Sequence, residues 1–349
     1  MRKTALALSI LFYTFIAFHV LADPLPTRKA LLVGIGDYPK GSGWNKIASA
    51  NDIKRLQGTL APTFRTKCLV DKQATYAGIT RALDNLCRDV RAGDTVLVHF
   101  SCHGQQMFTN KPDEPDRLDE ALIPYDAFAR KNDAYHGEKH LIDDELGEKM
   151  EAIRKRLGDY GLLIVSLDAC HSGNSIKGGD NPPDSLCRGI NDIFGVTYPS
   201  DVADSLECIR YARDTTELSG GTPTVYISAC GSTEKNYEFR LDDGTRVGSL
   251  SLSLDEAFRE TGLTDLTSLL DGIHAKMERY GHRQTPQFKS SFGYVTPKEQ
   301  DTVPPDDEEN EAEEDEGEET GISEKILILA ATVVVLLLVL VAYGRRKKQ

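Results

Sequence analysis

The sequence predicts an α/β fold, a three-layer sandwich in which helices cover both faces of a mostly parallel central sheet. Short apolar runs alternate along the chain with segments whose apolar residues recur at helical spacing. Several apolar runs lack the polar–apolar alternation of a half-exposed strand, which is typical of parallel strands buried on both faces. Regular strand–helix alternation indicates a parallel sheet with helical crossovers.

The individual elements follow from these runs. The predicted strands are residues 29–36, 66–70, 94–100, 162–167, 224–230 and 292–296. The predicted helices are residues 49–60, 76–90, 143–157 and 265–280. Residues 174–222 break the rhythm, because they are rich in Gly, Asp, Pro and Ser and are long for a connection in a compact domain. We predict a functional or processed loop there.

The amino terminus predicts export. Arg2 and Lys3 precede a short apolar run, and Val20 and Ala22 place small residues where signal peptidase cuts. Residues 1–22 are therefore predicted to be a cleaved signal peptide. An uncleaved anchor is the alternative, but the apolar run is short for a membrane span.

The carboxyl terminus predicts a membrane anchor. Residues 326–343 are 18 residues without a charge, which is about 27 Å of helix. The basic tail 344–349 follows as a stop-transfer signal. A buried core helix is the alternative, but no polar residues mark a solvent face. We expect a single-pass protein in the lipid bilayer, with a cytoplasmic tail and an extracytoplasmic folded domain.

A strongly acidic stretch precedes the predicted span. Residues 299–322 hold 13 acids and no Lys or Arg, and the whole chain has a net charge of −13. A segment of this composition cannot bury a core, so we predict an acidic, disordered linker. The rest of the exported domain is mildly acidic, which argues against a nucleic-acid-binding protein.

Seven cysteines occur in this chain, and export would permit disulfides. No CxxC pair is present, which argues against a structural zinc site. Cys187 and Cys208 lie 21 positions apart in the irregular loop, and Cys68 and Cys87 connect a predicted strand with the next helix. We predict these two bridges as hypotheses, because connectivity cannot be read from a sequence.

Two predicted strands end in residues that carry chemistry. One leads into "SCHG", with His103 and Gly104, and another leads into "DACHSG", with Cys170. If these parallel strands are neighbours, their carboxyl ends meet at one edge of the sheet and bring His103 to Cys170. The imidazole would favour the thiolate and later protonate a leaving amine. The backbone amides of Gly104 and Cys170 could hold an oxyanion.

A metal site and a purely structural role are the alternatives at these strand ends. Cys102 and His103 could share a metal with Cys170 and His171, but adjacent side chains on a strand point in opposite directions. A lone buried Cys or His is most often structural, whereas two such motifs at two strand ends favour an enzyme. His171 would point away from Cys170 and is interpreted as structural.

The sequence resembles the caspase clan, in particular metacaspases and bacterial caspase-like peptidases of family C14. The motifs that carry the resemblance are "HFSCHGQQ" and "LDACHSG", together with "KALLVGIGDY", "DRLDEALIPYDA", "HLIDDEL" and "QTPQF". Cys102 stands where the His motif of the family commonly has Gly. The resemblance covers about residues 28–298 and implies a caspase-like peptidase domain, with His103 as the base and Cys170 as the nucleophile.

The resemblance also implies a substrate preference. Caspases that cut after Asp use arginines in the pocket for the residue before the cut bond, whereas metacaspases use acids and cut after Arg or Lys. Two of these pocket acids map onto Asp52 and Asp168, and a carboxylate pair suits a guanidinium. For Asp52 the alternative is an acid that stabilises the start of a helix. Protein or peptide substrates with basic residues are therefore expected.

Some metacaspases bind calcium, and the resemblance places their carboxylates at Asp119, Asp143 and Asp144. Hard oxygen ligands suit calcium. A further acid of the family falls at about Lys177, however, and Asp143 and Asp144 could simply begin a helix. The predicted chemistry requires no cofactor, and calcium is left open as an optional ligand.

The function predicted from the sequence is that of a membrane-anchored cysteine endopeptidase. Because it would cut after basic residues, it could also cut itself in the irregular loop. The basic residues considered there are Lys177, Arg188, Arg210 and Arg213. A caspase-fold transamidase with the same layout of signal, domain and span is one alternative. A non-catalytic binding scaffold is another, and the intact Cys and His argue against it.

Overall fold

The computed structural model describes residues 25–109, 118–170, 187–190, 192–195, 221–231, 234–281 and 284–297. In this part of the chain the strands are β1 (Arg28–Gly34), β2 (Arg65–Val70), β3 (Thr95–Ser101), β4 (Gly104–Phe108), β5 (Leu118–Leu122), β6 (Leu141–Ile142), β7 (Leu162–Asp168), β8 (Thr224–Ser228), β9 (Glu238–Arg240), β10 (Arg246–Gly248) and β11 (Gln287–Ser290). The helices are α1 (Ser49–Leu60), α2 (Tyr76–Asp89), α3 (Asp143–Leu157), α4 (Ser249–Thr261) and α5 (Leu266–Tyr280).

Six strands form the central sheet, in the order β11-β8-β7-β3-β1-β2. Every neighbouring pair is parallel except β8 and β11, which are antiparallel. The predicted α/β fold with a mostly parallel central sheet is confirmed. Since β3 and β7 are adjacent at the middle of the sheet, the segments that follow them emerge side by side.

Helices cover both faces of the sheet. Successive residues of a strand point to opposite sides, and here both sets of side chains are apolar and have to be buried. Along β1, Leu31 and Val33 join the core on the side of α2 and α3, whereas Ala30 and Leu32 join the core on the side of α1, α4 and α5. The central strands are therefore apolar on both faces, which is why their sequences show no alternation.

Two small antiparallel sheets complete the described fold. Strands β4, β5 and β6 form one of them, and β9 and β10 pair as the other. Strand β4 begins only three residues after β3 ends, so the small sheet is joined directly to the carboxyl edge of the large one. These short strands are absent from our sequence-based predictions, because runs of two to five residues carry little periodicity.

The predicted strand at 292–296 is wrong. The strand in this region is β11, which precedes it and pairs with β8. Gly293 has a φ of +68°, a left-handed conformation that suits a turn after β11. One of the two aromatic residues of the predicted run, Tyr294, packs against Phe288 of β11 with ring centroids 5.4 Å apart.

Helix α4 is also absent from the sequence-based predictions. Its first six residues read "SLSLSL", which imitates the alternation of a strand. All six are buried, because the leucines enter the apolar cores while the serines find polar partners. Ser251, for example, donates to the Asp168 carboxylate at 2.6 Å.

The predicted bridge between Cys68 and Cys87 is wrong, because both are unbridged thiols. Cys68 packs on the core beneath α1, α4 and α5, whereas Cys87 packs on the core of the opposite face. The sheet therefore lies between the two sulfurs. Cys187 is likewise an unbridged thiol, and its predicted partner Cys208 lies outside the described residues.

Several predicted features lie outside the described residues. They are the signal peptide 1–22, the linker 299–322, the span 326–343, the tail 344–349, and the loop residues His171, Lys177, Arg210 and Arg213. Within the residues that are described, no helix combines the length and the apolar character that a membrane span requires.

Candidate active site

The ends of β3 and β7 bring the two predicted catalytic residues to one edge of the sheet. The last residues of these strands, Ser101 and Asp168, are paired in register. His103 and Cys170 each follow two positions later, and both side chains are almost fully buried. A Cβ atom on Gly104 would overlap the Cys170 carbonyl, so only glycine lets the two chain segments pack this closely.

His103 is held by a backbone carbonyl and two aromatic rings. Its Nε2 lies 2.8 Å from the carbonyl oxygen of Asn45, so Nε2 carries the proton and donates it there. The ring stacks on Trp44 with centroids 5.1 Å apart, and Tyr38 packs against it at 5.3 Å. Nδ1 is buried and has no partner among the described residues, which leaves its lone pair available to act as a base.

Burial lowers the pKa of His103 from 6.5 to about 4. The imidazole is therefore neutral near pH 7 and able to accept a proton. The residues that orient it were missed by the sequence-based reasoning. Asn45 acts through its backbone carbonyl, which no side-chain motif can reveal. Trp44 lies in a loop that is distant in sequence from both reactive motifs.

Other thiols lie near the candidate nucleophile. The sulfurs of Cys170 and Cys230 lie 3.7 and 3.6 Å from the same carbonyl oxygen, that of Glu234. Hydrogen bonding to Cys170 and burial together raise the pKa of both Cys187 and Cys230. Burial, with a smaller contribution from the Asp168 carboxylate, raises the pKa of Cys102 to about 12. These three remain thiols at neutral pH and are poor nucleophiles, because the thiolate is the reactive form.

A segment of the chain itself occupies the candidate site. We call residues 187–190 and 192–195 the docked segment. The carbonyl oxygen of Arg188 accepts hydrogen bonds from the amides of Gly104 and Cys170, both at 3.1 Å. A Cβ atom on Gly189 would lie 3.2 Å from the Cys170 sulfur. The Arg188–Gly189 peptide bond thus lies directly against the thiol, with its oxygen between two amides.

The side chain of Arg188 fills a pocket lined by acidic and hydroxyl groups, which we call the arginine pocket. Its Nη2 lies 2.8 Å from Asp52 Oδ2 and 3.1 Å from Glu238 Oε1. Its Nη1 lies 2.6 Å from Ser101 Oγ and 3.6 Å from Asp168 Oδ1. All five side chains are buried. The structure therefore brings the two predicted pocket acids together around a guanidinium.

Two members of the arginine pocket were missed by the sequence-based reasoning. Ser101 immediately precedes the His motif and could have been suspected from its place at a strand end. Glu238 lies on the short strand β9, 70 positions after Asp168, and nothing in its sequence context marks it. Its Oε2 is buried and has no partner among the described residues.

The charges of the pocket respond differently to burial. Burial raises the pKa of Asp52 to about 6, although the Arg188 guanidinium opposes this rise. Burial would also raise the pKa of Asp168, but Arg188 and hydrogen bonds from Asn236 and Ser251 outweigh it and lower that pKa. Asp168 is therefore the firmly charged wall of the pocket, whereas Asp52 can change its charge in mildly acidic solution.

The backbone around α4 completes the pocket. The amide of Gly248 donates to Asp52 Oδ1 at 2.9 Å, and the amide of Ser251 donates to Asp168 Oδ2 at 2.8 Å. A Cβ atom on Gly248 would overlap the Asp168 carboxylate. The start of the helix thus anchors both acids through amides that no intrahelical carbonyl occupies.

The three predicted calcium ligands do not form a cluster in the described structure. Asp119 is buried on β5, whereas Asp143 and Asp144 begin α3. No group of three or more His, Cys, Asp or Glu side chains within the described ranges is arranged to hold a metal ion. Calcium binding stays a prediction, and no chemical step below depends on it.

Comparison with known proteins identifies the family. The family model described as "Caspase domain", Peptidase C14, matches residues 27–293. The chain belongs to the caspase-domain family. The resemblance predicted from the sequence motifs is thereby confirmed. The matched region contains every strand and helix of the fold described above.

The similar proteins include metacaspases. Metacaspase-1 of Coccidioides immitis is 31% identical over 161 residues, which span 43% of this chain and 32% of that protein. Metacaspase-1B of Neosartorya fischeri is 25% identical over 297 residues, which span 76% of this chain and 69% of that protein. A solved structure of a Geobacter sulfurreducens protein has a TM-score of 0.51 at 21% identity, and covers 78% of this chain and 96% of that one. This last likeness concerns the fold alone.

Proposed function

We propose that this caspase-domain protein is a cysteine endopeptidase that cleaves polypeptides after arginine. The observation that carries the proposal is the position of the Arg188–Gly189 bond. The carbonyl oxygen, the side chain and the backbone amide of Arg188 are each held as those of a substrate would be held. The amide donates to the Asn236 carbonyl at 2.9 Å. The docked segment serves as a substrate analogue that the chain supplies to itself.

The chemistry proceeds by acyl transfer through a thioester. His103 Nδ1 takes the proton of the Cys170 thiol, and the sulfur attacks the carbonyl carbon of the arginine. The developing oxyanion is stabilised by the amides of Gly104 and Cys170, which already point at this oxygen. His103 then gives its proton to the leaving amine, and water hydrolyses the thioester to a carboxylate and the free thiol.

The arginine pocket explains the proposed specificity. The two ends of the guanidinium meet different partners, Asp52 and Glu238 at Nη2, and Ser101 and Asp168 at Nη1. A planar fork of donors satisfies this arrangement, whereas the single nitrogen of lysine cannot reach both ends. An aspartate side chain would face three carboxylates, and such like-charge contacts cost several kcal/mol. We therefore expect cleavage after Arg, slower cleavage after Lys, and essentially none after Asp.

Self-cleavage and location belong to the same proposal. Of the four basic residues considered in the irregular loop, Arg188 is the one described in the site, so we propose Arg188–Gly189 as the bond that the enzyme cuts in itself. The predicted export signal and anchor would place this activity outside the cytoplasm at a membrane surface. Calcium remains an optional ligand of this proposal.

The test is the fate of the purified chain. We expect the wild type to yield, on incubation, two fragments of which the second begins at Gly189, as read by amino-terminal sequencing. The Cys170→Ala variant should stay intact because it lacks the nucleophile. Arg65→Ala, which changes a mostly exposed basic residue, should be cut like the wild type. Equal persistence of intact wild type and Cys170→Ala, with no cleavage of Arg peptides by either, would sink the proposal.

A further inference from the structure

The docked segment continues beyond the candidate scissile bond along β4. Gly189 pairs with Gly104 and Phe194 pairs with Met107, both in parallel. The amide of Phe194 donates to the Gln106 carbonyl at 2.8 Å, and the amide of Phe108 donates to the Phe194 carbonyl at 2.9 Å. The chain that follows the bond therefore adds an irregular strand to the small sheet of β4, β5 and β6. It is joined to β4 by two isolated bridges, with two more residues between them than β4 has. Strand addition of this kind is a recurrent way to bind an extended peptide.

An aromatic side chain anchors this added strand. Phe194 is only 2% exposed. Its ring centroid lies 4.5 Å from that of His140 and 5.7 Å from that of Tyr135. A Cβ atom on Gly137 would come within 2.7 Å of the Phe194 ring, so the glycine makes room for it. The pocket thus has the size and the apolar lining for one aromatic side chain.

Polar groups fix the strand between the bond and this anchor. The side-chain Nε2 of Gln105 donates to the Asp192 carbonyl at 2.8 Å and to the Ala129 carbonyl at 3.1 Å. The side-chain Oε1 of Gln105 lies 3.0 Å from Nε2 of His140, which holds the amide group in place. Arg130 forms a two-pronged ion pair with the Asp192 carboxylate at 2.7 and 3.1 Å. Gln105 is buried, so this contact belongs to a preformed site, whereas the Arg130 pair is exposed.

We propose that the groove between β4 and residues 128–140 is a binding site for the part of a polypeptide that follows the cleaved bond. It takes an extended chain with an aromatic residue at the sixth position after the bond and an acid at the fourth. Only the identity of the bond rests on the proposed function, because none of these contacts involves the arginine pocket. The groove holds its occupant by contacts that remain when the bond is cut.

Binding of a synthetic peptide tests this site without any cleavage. The probe is the fluorescently labelled heptapeptide Gly-Ile-Asn-Asp-Ile-Phe-Gly, which copies residues 189–195. The protein is the full chain with Cys170→Ala, either alone or combined with Phe194→Ala to loosen the internal segment. Anisotropy should show saturable binding to the combined variant and at least about tenfold weaker binding to Cys170→Ala alone, because its groove is filled by a tethered competitor.

Variant probes define what the groove recognises. Replacing Phe by Ala in the peptide should weaken binding at least about tenfold, since a buried aromatic side chain is lost. Replacing Asp by Asn, or adding Arg130→Ala to the protein, should weaken it by at most about fivefold, since exposed ion pairs are worth about 1 kcal/mol or less. Equal affinities of the Phe and Ala peptides would overturn the proposal, even if the chain proves to be an active peptidase.

A second measurement covers the case in which Phe194→Ala fails to fold. Hydrogen exchange is followed in the Cys170→Ala chain at the amides of Phe108 and Phe194. Protection of both amides supports the docked strand, because both amides donate in the pairing described above. Exchange of both at the rate of an unstructured peptide overturns it.

Discussion

Arg188 brings one positive charge into contact with three buried carboxylates, so the arginine pocket carries an excess of negative charge. Buried like charges are tolerated only when a cation or protons compensate them. Because Asp168 is the member held charged by several hydrogen bonds, Asp52 is the member that adjusts. The proposed preference of the pocket for a guanidinium therefore depends on the charge of one residue.

Replacing Asp52 tests this dependence. In the enzyme processed as proposed, Asp52→Asn should lower kcat/KM for Arg peptides by about two to four powers of ten, because breaking one partner of a buried ion pair costs about 3–5 kcal/mol. Asp37→Asn is the matched control, since Asp37 forms an exposed ion pair with Lys46 and should leave the rate unchanged. An unchanged rate in Asp52→Asn would exclude the pocket assignment.

The raised pKa of Asp52 predicts a pH dependence with a definite sign. Above about pH 6 the carboxylate is charged and attracts the arginine, and as the pH falls through about 6 it takes up a proton and the attraction is lost. kcat/KM for Arg peptides should therefore decline as the pH falls below about 6. In Asp52→Asn this decline should be much weaker. His103, with its pKa lowered to about 4, titrates separately. If the acid-side decline of kcat/KM keeps the same midpoint pH in Asp52→Asn, the decline belongs to the titration of another group.

Glu238 should set the preference for Arg over Lys. Its Oε1 shares Nη2 of the guanidinium with Asp52, at the end that is opposite to Ser101. Glu238→Gln should reduce kcat/KM for Arg peptides by at least about tenfold, because a charge-assisted bond is lost. It should reduce the slower Lys reaction less and so narrow the Arg/Lys ratio. Steady-state kinetics on matched peptides measure this ratio, and an unaltered ratio would remove Glu238 from the specificity determinants.

At the scale of elements, the junction between β10 and α4 positions the pocket. Gly248 ends the strand, and its amide and that of Ser251 bind the two predicted acids. The helix thereby couples the pocket to the core face that α4 shares with α1 and α5. A change at this junction should affect both stability and specificity.

Gly248→Ala tests the junction. The added methyl group would overlap the Asp168 carboxylate, and overpacking of this kind costs about 1–3 kcal/mol. We expect a lower Tm together with a strong loss of kcat/KM for Arg peptides. Gly147→Ala on α3 is the matched control, because a Cβ there meets nothing within 4 Å; it should be neutral or slightly stabilising. A Gly248→Ala variant with wild-type Tm and kinetics would show that the pocket has more room than described.

The same elements show what the sequence could and could not predict. The ends of β3 and β7 were predictable, because buried parallel strands have a clear signature and their carboxyl ends share an edge. Glu238 was not, because its place depends on the pairing of two three-residue strands. The choice of Arg188 among four basic residues was equally out of reach, since it depends on how a long loop crosses the sheet edge. Helix α4 was missed because its first six residues alternate as in a strand, and the Asp168 carboxylate that allows Ser251 to be buried lies 83 positions away in the chain.

At the scale of the whole molecule, the docked segment connects the two sides of the site. On one side it pairs with Tyr237 beside β9, and on the other with β4. Its Arg188 is also the cation that partly compensates the charge of the buried acids. The segment is thus a part of the folded structure as well as a candidate substrate, and removing its charge should be felt throughout the domain.

Arg188→Ala tests this double role. Three buried carboxylates would lose their cation, so we expect a fall of about 3–5 kcal/mol in the free energy of unfolding. Millimolar arginine amide should restore part of the Tm by entering the pocket, since a ligand that binds only the folded state stabilises it. Arg65→Ala, which changes a mostly exposed residue, should show neither effect. Glycine amide, which lacks the guanidinium, is the control ligand. The assignment would be contradicted if Arg188→Ala had the Tm of the wild type, or if arginine amide raised its Tm no more than glycine amide does.

The stacking of Trp44 on His103 has a spectroscopic consequence. The chain has a single tryptophan, and its indole lies against the imidazole with an angle of 24° between the rings. An imidazolium withdraws electrons from an excited indole more strongly than a neutral imidazole does, so emission should dim when His103 gains a proton. Because no second indole contributes to the emission, the tryptophan fluorescence of the unlabelled protein should report directly on the protonation of His103 and on the occupancy of this site.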